Sequence, residues 1–147
     1  MAYEHRLKVR YGETDQMGVV HHANYLLYLE EARTEYMAHL GCPYALVEES
    51  GVGLPVRRVE LRHRAPAFYP EELVVEVVVS RVRAASVSFG YEVSRAADGT
   101  ALASATVELA CVDLAGGTRR PRILPDELRR LLRRAVQADS PPPSKPE

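Results

Sequence analysis

The hydrophobic pattern changes period early in the chain. Residues 5–11 alternate apolar and basic side chains, the period of two expected for a strand with one buried face; the apolar members are Leu7, Val9 and Tyr11. From Ala23 onward, apolar residues instead recur at steps of three and four, which predicts an amphipathic helix of about four to five turns. We expect this helix to end at Gly41, before Pro43, because proline cannot continue a helix.

Most of the remaining chain is predicted to form strands joined by tight turns. Residues 56–65 and 86–93 alternate in polarity, and a further strand at 101–113 follows an Asp-Gly hairpin signal. Residues 72–83 are so rich in valine that we expect both faces of this strand to be covered, most simply by another copy of the chain. Tight sequential turns indicate an antiparallel sheet, and the long helix needs that sheet as its packing partner. The prediction is an α+β domain, with about five antiparallel strands wrapped around one long central helix.

Length and charge narrow the functional classes. A chain of 147 residues fits one domain, predicted over residues 1–138, followed by a proline-rich segment at 139–147 that we expect to be disordered. The net charge of −1 gives no electrostatic footprint for nucleic-acid binding. No apolar run is long enough for a membrane span, no signal-peptide core is seen, and Cys42 and Cys111 lack metal-type spacing. A cytoplasmic protein with reduced, buried cysteines is therefore expected.

The candidate chemistry lies just before the long helix. Asp15, the flexible Gly18 and the pair His21 and His22 precede its first turn. The start of a helix offers free backbone N–H groups and the positive end of the helix dipole. A carboxylate facing such donors suits attack on a carbonyl group, with the donors stabilising the oxyanion. Asp15 could equally be a turn or capping residue, since aspartate is common in both places.

The same segment carries a family resemblance. Residues 15–25 read Asp-Gln-Met-Gly-Val-Val-His-His-Ala-Asn-Tyr and continue into Glu31-Ala-Arg33. This motif and the order of strands resemble the hot-dog-fold acyl-CoA thioesterases, in particular the 4-hydroxybenzoyl-CoA thioesterase group with the Tol-Pal-associated enzymes. The resemblance implies a hot-dog fold, hydrolysis of acyl-CoA without a metal or other cofactor, and a homodimer or homotetramer. In that family two sheets join edge to edge, and the active site lies at the subunit interface.

The resemblance also assigns roles to individual residues. Asp15 matches the catalytic carboxylate, acting as a general base or as a nucleophile, and these two routes stay open. His22 is expected to donate its backbone N–H to the thioester oxygen, and its imidazole to position water or protonate the leaving thiolate. Substrate contacts are implied for Gly18, Val19 and Asn24, although Asn24 could instead order the helix start. The family's use of the hairpin near residues 80–86 implies Arg83 and Ser86 as contacts of the CoA phosphates.

Several alternatives remain open from the sequence. The three histidines His21, His22 and His63 lack the spacing of a metal site, so we expect no metal. The basic residues between Arg119 and Arg134 could meet nucleotide phosphates or an acidic acyl carrier protein, or could simply form a solvated helix face. Alternative functions are a non-catalytic acyl-CoA-binding or sensor protein, or a hydratase or dehydratase of acyl thioesters on the same fold.

Overall fold

The structure, a computed structural model, describes residues 2–138. The predicted disordered segment at 139–147 lies outside the described residues. The main elements, in chain order, are β1 (Tyr3–Lys8), α1 (His22–His39), α2 (Tyr44–Glu49), β2 (Val52–Gly53), β3 (Val56–His63), β4 (Glu72–Val82), β5 (Ser86–Arg95), β6 (Ala101–Ala110), β7 (Val112–Asp113) and α3 (Asp126–Ala138). Short 3-10 turns occupy Tyr11–Glu13 and Ala115–Gly117.

Five strands form one antiparallel sheet in the order β1-β4-β5-β6-β3. Strands β4 and β5 are joined by a short turn, as are β5 and β6, which agrees with the tight turns expected from the sequence. The strands β2 and β7 make a separate two-stranded ribbon. The predicted α+β class and the antiparallel sheet of about five strands with one long helix are confirmed.

Helix α1 lies on the core face of this sheet, against β1 and β4. Its buried residues repeat at steps of three and four; the buried members are Tyr25, Tyr28, Leu29, Ala32, Arg33, Tyr36 and Met37. The opposite side is exposed and mostly polar, except for Leu26 and Leu27 near its start. The helix stops where expected, because Gly41 adopts a φ of 93° that favours glycine. The buried stripe of α1 thus packs into the core, and the helix start at His21 and His22 stays exposed at the surface.

One expectation about the strands needs correction, and another is left untested. The first strand was expected over residues 5–11, but it ends at Lys8, and Tyr11 lies in the following turn with 77% of its surface exposed. The expectation that another copy of the chain covers the outer face of β4 stays a prediction. Val75, Val77 and Val79 face the core, where Leu128 and Leu132 of α3 also lie. On the other face of the strand, Val74 is 8% exposed and Val78 is partly exposed.

The described sheet has two edge strands, β1 and β3, and β3 is the more exposed of the two. This strand pairs only with β6 among the described strands, and it is largely exposed along its length. Its apolar residues Val56 and Val59 are 49% and 38% exposed. Exposed sheet edges tend to pair with another chain, so β3 gives a second structural reason to expect an oligomer.

Candidate active site

Asp15 lies in a tight loop between the turn at Tyr11–Glu13 and α1. Its Oδ1 accepts hydrogen bonds from the backbone N–H groups of Met17 at 2.9 Å and Val19 at 3.2 Å. The backbone N–H of Asp15 donates to the carbonyl of Val19 at 2.8 Å, which closes the loop. Gly18 has a φ of 77°, a conformation that other residues rarely adopt. The loop thus fixes one carboxylate oxygen through its own backbone.

The other carboxylate oxygen of Asp15 is open. Oδ2 accepts no hydrogen bond from the described residues, and the side chain is exposed on the surface of this single chain. A carboxylate that is held at one oxygen and free at the other can take a proton from water or attack a carbonyl carbon. The geometry therefore leaves both chemical routes available.

The start of α1 supplies the second component of the site. His21 is the N-cap residue, and its Nδ1 accepts a hydrogen bond from the backbone N–H of Ala23 at 3.2 Å. His22 is the first helical residue, and its N–H has no acceptor among the described residues. The rings of His21 and His22 stack with centroids 4.3 Å apart. The free N–H and the helix dipole can stabilise a developing oxyanion, and capping gives His21 a role that the sequence did not reveal.

Asn24 orders the junction of loop and helix. Its Nδ2 donates to the backbone carbonyl of Glu13 at 2.9 Å, so the side chain is turned towards the loop. Of the two roles left open for Asn24, the structure supports the ordering one. Further along the same strip of chain, the N–H of Val20 donates to the carbonyl of Ala67 at 2.9 Å, which fastens the loop to the segment before β4.

Sequence reasoning missed Glu13 and Tyr28. The Glu13 Oε1 accepts the hydroxyl of Tyr28 at 2.9 Å and the backbone N–H of Arg10 at 2.7 Å. Burial, reinforced by the hydrogen bond to Glu13, raises the pKa of Tyr28 well above its usual value. A signal was present, because a tyrosine on the buried stripe of a helix needs a partner for its hydroxyl.

The structure does not bring Arg83 and Ser86 to Asp15 within one chain. The loop of Asp15 is fastened beside the start of β4, whereas Arg83 and Ser86 lie in the hairpin beyond its end. A strand of 11 residues spans about 33 Å. Arg83 is exposed, but Ser86 is 4% exposed, which leaves its side chain little surface for a ligand.

Exposed apolar residues surround the Asp15 loop. Tyr11 packs edge-on against Tyr69 at a centroid distance of 5.6 Å, and Val19 forms a bridge with Phe68. The large apolar side chains exposed in this region are Tyr11, Met17, Leu26, Leu27, Phe68 and Tyr69. Apolar exposure of this kind marks a binding surface more often than chance, and it is suited to an acyl group or to another protein chain.

The described residues form no metal-binding cluster at this site. No cluster of three or more His, Cys, Asp or Glu side chains within residues 2–138 could hold a metal ion. His63 packs edge-on against Tyr25 at 4.9 Å rather than joining the other two histidines in a cluster. Across the same described range, no helix has the length and apolar character needed to cross a membrane.

Comparisons with known proteins fit this geometry. Residues 9–132 match the model of one family, described as the Thioesterase-like superfamily. The Haemophilus influenzae protein named Acyl-CoA thioesterase YbgC is 36% identical over 124 residues, or 84% of this chain and 88% of that protein. The Bacillus subtilis protein named Putative acyl-CoA thioesterase YneP is 37% identical over 107 residues, or 73% of this chain and 77% of that protein.

Solved structures of similar proteins confirm the predicted hot-dog fold. The DHNA-CoA thioesterase from Staphylococcus aureus has a TM-score of 0.85 and 29% identity, with 95% of this chain and 93% of that chain covered. A Thermus thermophilus protein, TT1821, has a TM-score of 0.83 and 37% identity, with 92% of this chain and 98% of that chain covered.

Proposed function

Because the chain belongs to the Thioesterase-like superfamily, we propose that it hydrolyses acyl-CoA thioesters to a carboxylic acid and CoA, using Asp15 as the catalytic carboxylate. The names of the relatives confirm the sequence-based expectation of an acyl-CoA thioester hydrolase. The dependence on Asp15 stays a prediction. The observation that supports it most is the Asp15 carboxylate with one free oxygen, in the loop that leads to the free N–H of His22 at the start of α1.

The proposed reaction follows from these two groups. In the general-base route, Asp15 removes a proton from water as the water oxygen bonds to the thioester carbon. The carbonyl oxygen becomes an oxyanion that accepts the N–H of His22. The C–S bond then breaks, and the CoA thiolate takes the proton from the carboxylic acid of Asp15, either directly or through the His22 imidazole. In the nucleophilic route, Asp15 forms a mixed anhydride first, CoA leaves, and water cleaves the anhydride.

A second copy of the chain is proposed to complete the site. The β3 edge has free pairing groups and exposed valines, and the Asp15 loop is open on a surface rich in exposed apolar residues. Pairing of β3 across a two-fold axis would give a continuous sheet and bury these groups. We propose a homodimer, or a tetramer built from it, in the cytoplasm, with Arg83 meeting CoA phosphates in the neighbouring copy's site. Ser86 is the weaker partner in that role because it is buried.

The oligomer is tested by blocking the β3 edge. Val59→Lys places a charge on this edge and should shift the particle mass towards the monomer in light scattering after size-exclusion chromatography. Ala97→Lys, on the exposed turn between β5 and β6, is the control and should leave the mass unchanged. A wild-type protein that is monomeric at all concentrations would contradict the dimer but not the hydrolytic activity.

The catalytic assignment is tested by release of free CoA thiol. Wild-type protein is assayed with short aliphatic, long aliphatic and aromatic acyl-CoAs, and compared with Asp15→Asn. The variant should retain substrate binding and lose about 10²- to 10⁴-fold in kcat, the contribution of a positioned acid or base. Glu30→Gln, an exposed acid on α1, is the matched control. Turnover by Asp15→Asn at the wild-type rate would refute the role of Asp15.

The same assay separates the rival functions. A hydratase would add water to an enoyl-CoA without releasing thiol, and a sensor would bind acyl-CoA without any chemical change. Either result with the wild-type protein would overturn the hydrolase proposal.

A further inference from the structure

Glu13 connects the two halves of the candidate site. Its backbone carbonyl accepts the N–H of His21 at 2.9 Å and the Nδ2 of Asn24 at 2.9 Å, both at the start of α1. Its side chain accepts the hydroxyl of Tyr28 and the backbone N–H of Arg10. One residue thus holds the segment before Asp15 against the first two turns of the helix.

The position of Glu13 in the chain makes this connection relevant to chemistry. Asp15 follows it by two residues, and His21 directly precedes the N–H donor of His22. A movement of Glu13 relative to α1 would therefore change the separation between the Asp15 carboxylate and the His22 N–H. Misplacement of reacting groups by about 1 Å can reduce a rate by about 100-fold.

The hydrogen bond from Tyr28 is a durable one. Tyr28 is 4% exposed, and a buried hydroxyl without a partner is costly. A tyrosine hydroxyl is protonated at neutral pH, and burial with the hydrogen bond to Glu13 raises the pKa of Tyr28 further, so the donor persists into the alkaline range. Tyr28 and Tyr25 also pack together, with ring centroids 5.7 Å apart, so the ring of Tyr28 is held in place by its neighbour. The helix therefore presents a fixed donor to Glu13.

We infer that Glu13 is a positioning residue for thioester hydrolysis, setting the distance between the Asp15 carboxylate and the His22 N–H through its bond to Tyr28. This inference rests on the proposed function. Glu13 touches neither substrate nor reacting atoms in this assignment. What matters is an acceptor oxygen at the Oε1 position, because both of its donors, an N–H and a hydroxyl, are neutral.

The kinetic test compares three variants with the wild-type protein. Glu13→Ala removes the acceptor and should lower kcat by about 10- to 100-fold while KM changes by less than about threefold. Glu13→Gln keeps an acceptor oxygen and should restore kcat to within about threefold of wild type. Tyr28→Phe removes one donor and should give a smaller loss of kcat. Glu48→Ala, an exposed acid on α2, is the control.

A readout without turnover separates this inference from the proposed function. Hydrogen exchange of the His21 amide, which donates to the Glu13 carbonyl, should be faster in Glu13→Ala and close to wild type in Glu13→Gln. If the wild-type protein releases no thiol, the proposed function fails, and unchanged exchange in Glu13→Ala would independently refute the positioning contact.

The kinetic outcomes also decide the inference. Wild-type kcat in Glu13→Ala would overturn it, and so would a glutamine variant impaired as much as the alanine variant, because charge rather than geometry would then matter. Should Glu13→Ala fail to fold, Tyr28→Phe gives the decision: a reduced kcat at wild-type circular dichroism supports the inference, and an unchanged kcat refutes it.

Discussion

Two polar clusters adjoin helix α1, the Asp15 cluster in the loop before it and the Arg33 cluster in its second half, and they differ in burial and bonding. At its start, the carboxylate of Asp15 is exposed and only one of its oxygens is bonded. In its second half, the guanidinium of Arg33 is 4% exposed. The Arg33 Nε donates to the hydroxyl of Tyr44 at 3.0 Å, and its Nη1 donates to the hydroxyl of Tyr91 at 3.0 Å.

The difference shows how burial separates a structural charge from a chemical one. Arg33 makes no ion pair within residues 2–138, so two tyrosine hydroxyls from α2 and β5 stabilise a buried cation. Such a cation is costly to desolvate and is tolerated only when its donors are occupied. Asp15 pays no such cost, because water reaches it, and it keeps an unoccupied oxygen. We therefore expect the Arg33 cluster to determine stability and the Asp15 cluster to determine turnover.

The largest effect on stability should come from Arg33→Met. The variant leaves the hydroxyls of Tyr44 and Tyr91 without their donor and should lower the free energy of unfolding by about 3 kcal/mol. The activity per folded molecule should stay within about threefold of wild type. Urea unfolding measures the first quantity and thiol release the second. Adding Tyr44→Phe and Tyr91→Phe should recover part of the loss. A single Arg33→Met variant as stable as wild type would contradict the structural role of Arg33.

Gly18→Ala should act on the other cluster. The φ of 77° at Gly18 costs an alanine about 1 kcal/mol, although no atom lies within 4 Å of the added Cβ. Strain in the loop should also move the Val19 N–H away from Asp15 and lower kcat by about tenfold. Gly12→Ala is the matched control, since it has the same open space without a positive φ. Equal kcat values for the two variants would argue against a rigid loop.

Alkaline pH should weaken the Arg33 cluster through Tyr91. Burial raises the pKa of Tyr91 to about 12, above the value of about 10 for an unfolded chain. The stabilising contribution of the protonated tyrosine is thus present below pH 10 and lost as pH rises towards 12, because the unfolded state gives up its proton first. Urea unfolding at pH 9 and 11 should show a drop about 1 kcal/mol larger in wild type than in Tyr91→Phe.

That comparison has an internal control. Burial also raises the pKa of the Cys42 thiol, to about 11. Because this thiol ionises first in the unfolded chain, rising pH between 9 and 11 destabilises wild type and Tyr91→Phe by the same amount. An identical pH dependence in wild type and Tyr91→Phe would mean that Tyr91 ionises as readily in the folded protein as in the unfolded chain.

The smallest effect should come from the helix cap. His21→Ala removes the acceptor for the Ala23 N–H and should lower the free energy of unfolding by about 0.5–1 kcal/mol. His21→Ser, which restores an N-cap acceptor, should recover this stability with unchanged kcat. A large loss of kcat in His21→Ser would show that the imidazole itself takes part in the reaction, so that His21 would be more than a helix cap.

Local patterns in the sequence are enough to predict most of the long elements and the place of the candidate site. The change from a period of two to steps of three and four identified β1 and α1, because side-chain direction along a strand or helix is a local property. The run from Asp15 to Asn24 placed the carboxylate before the helix start for the same reason, since its loop closes through backbone groups only four residues apart.

The contacts that those elements make depend on the folded chain. The pairing of Glu13 with Tyr28 and of Arg33 with Tyr91 joins residues 15 and 58 positions apart, and no periodicity encodes it. The cover of β4 by α3 and the separation of Arg83 from Asp15 likewise follow from the order of strands in the sheet. Such contacts arise when buried polar groups must find partners within the folded chain, a requirement that acts on position in space rather than along the sequence.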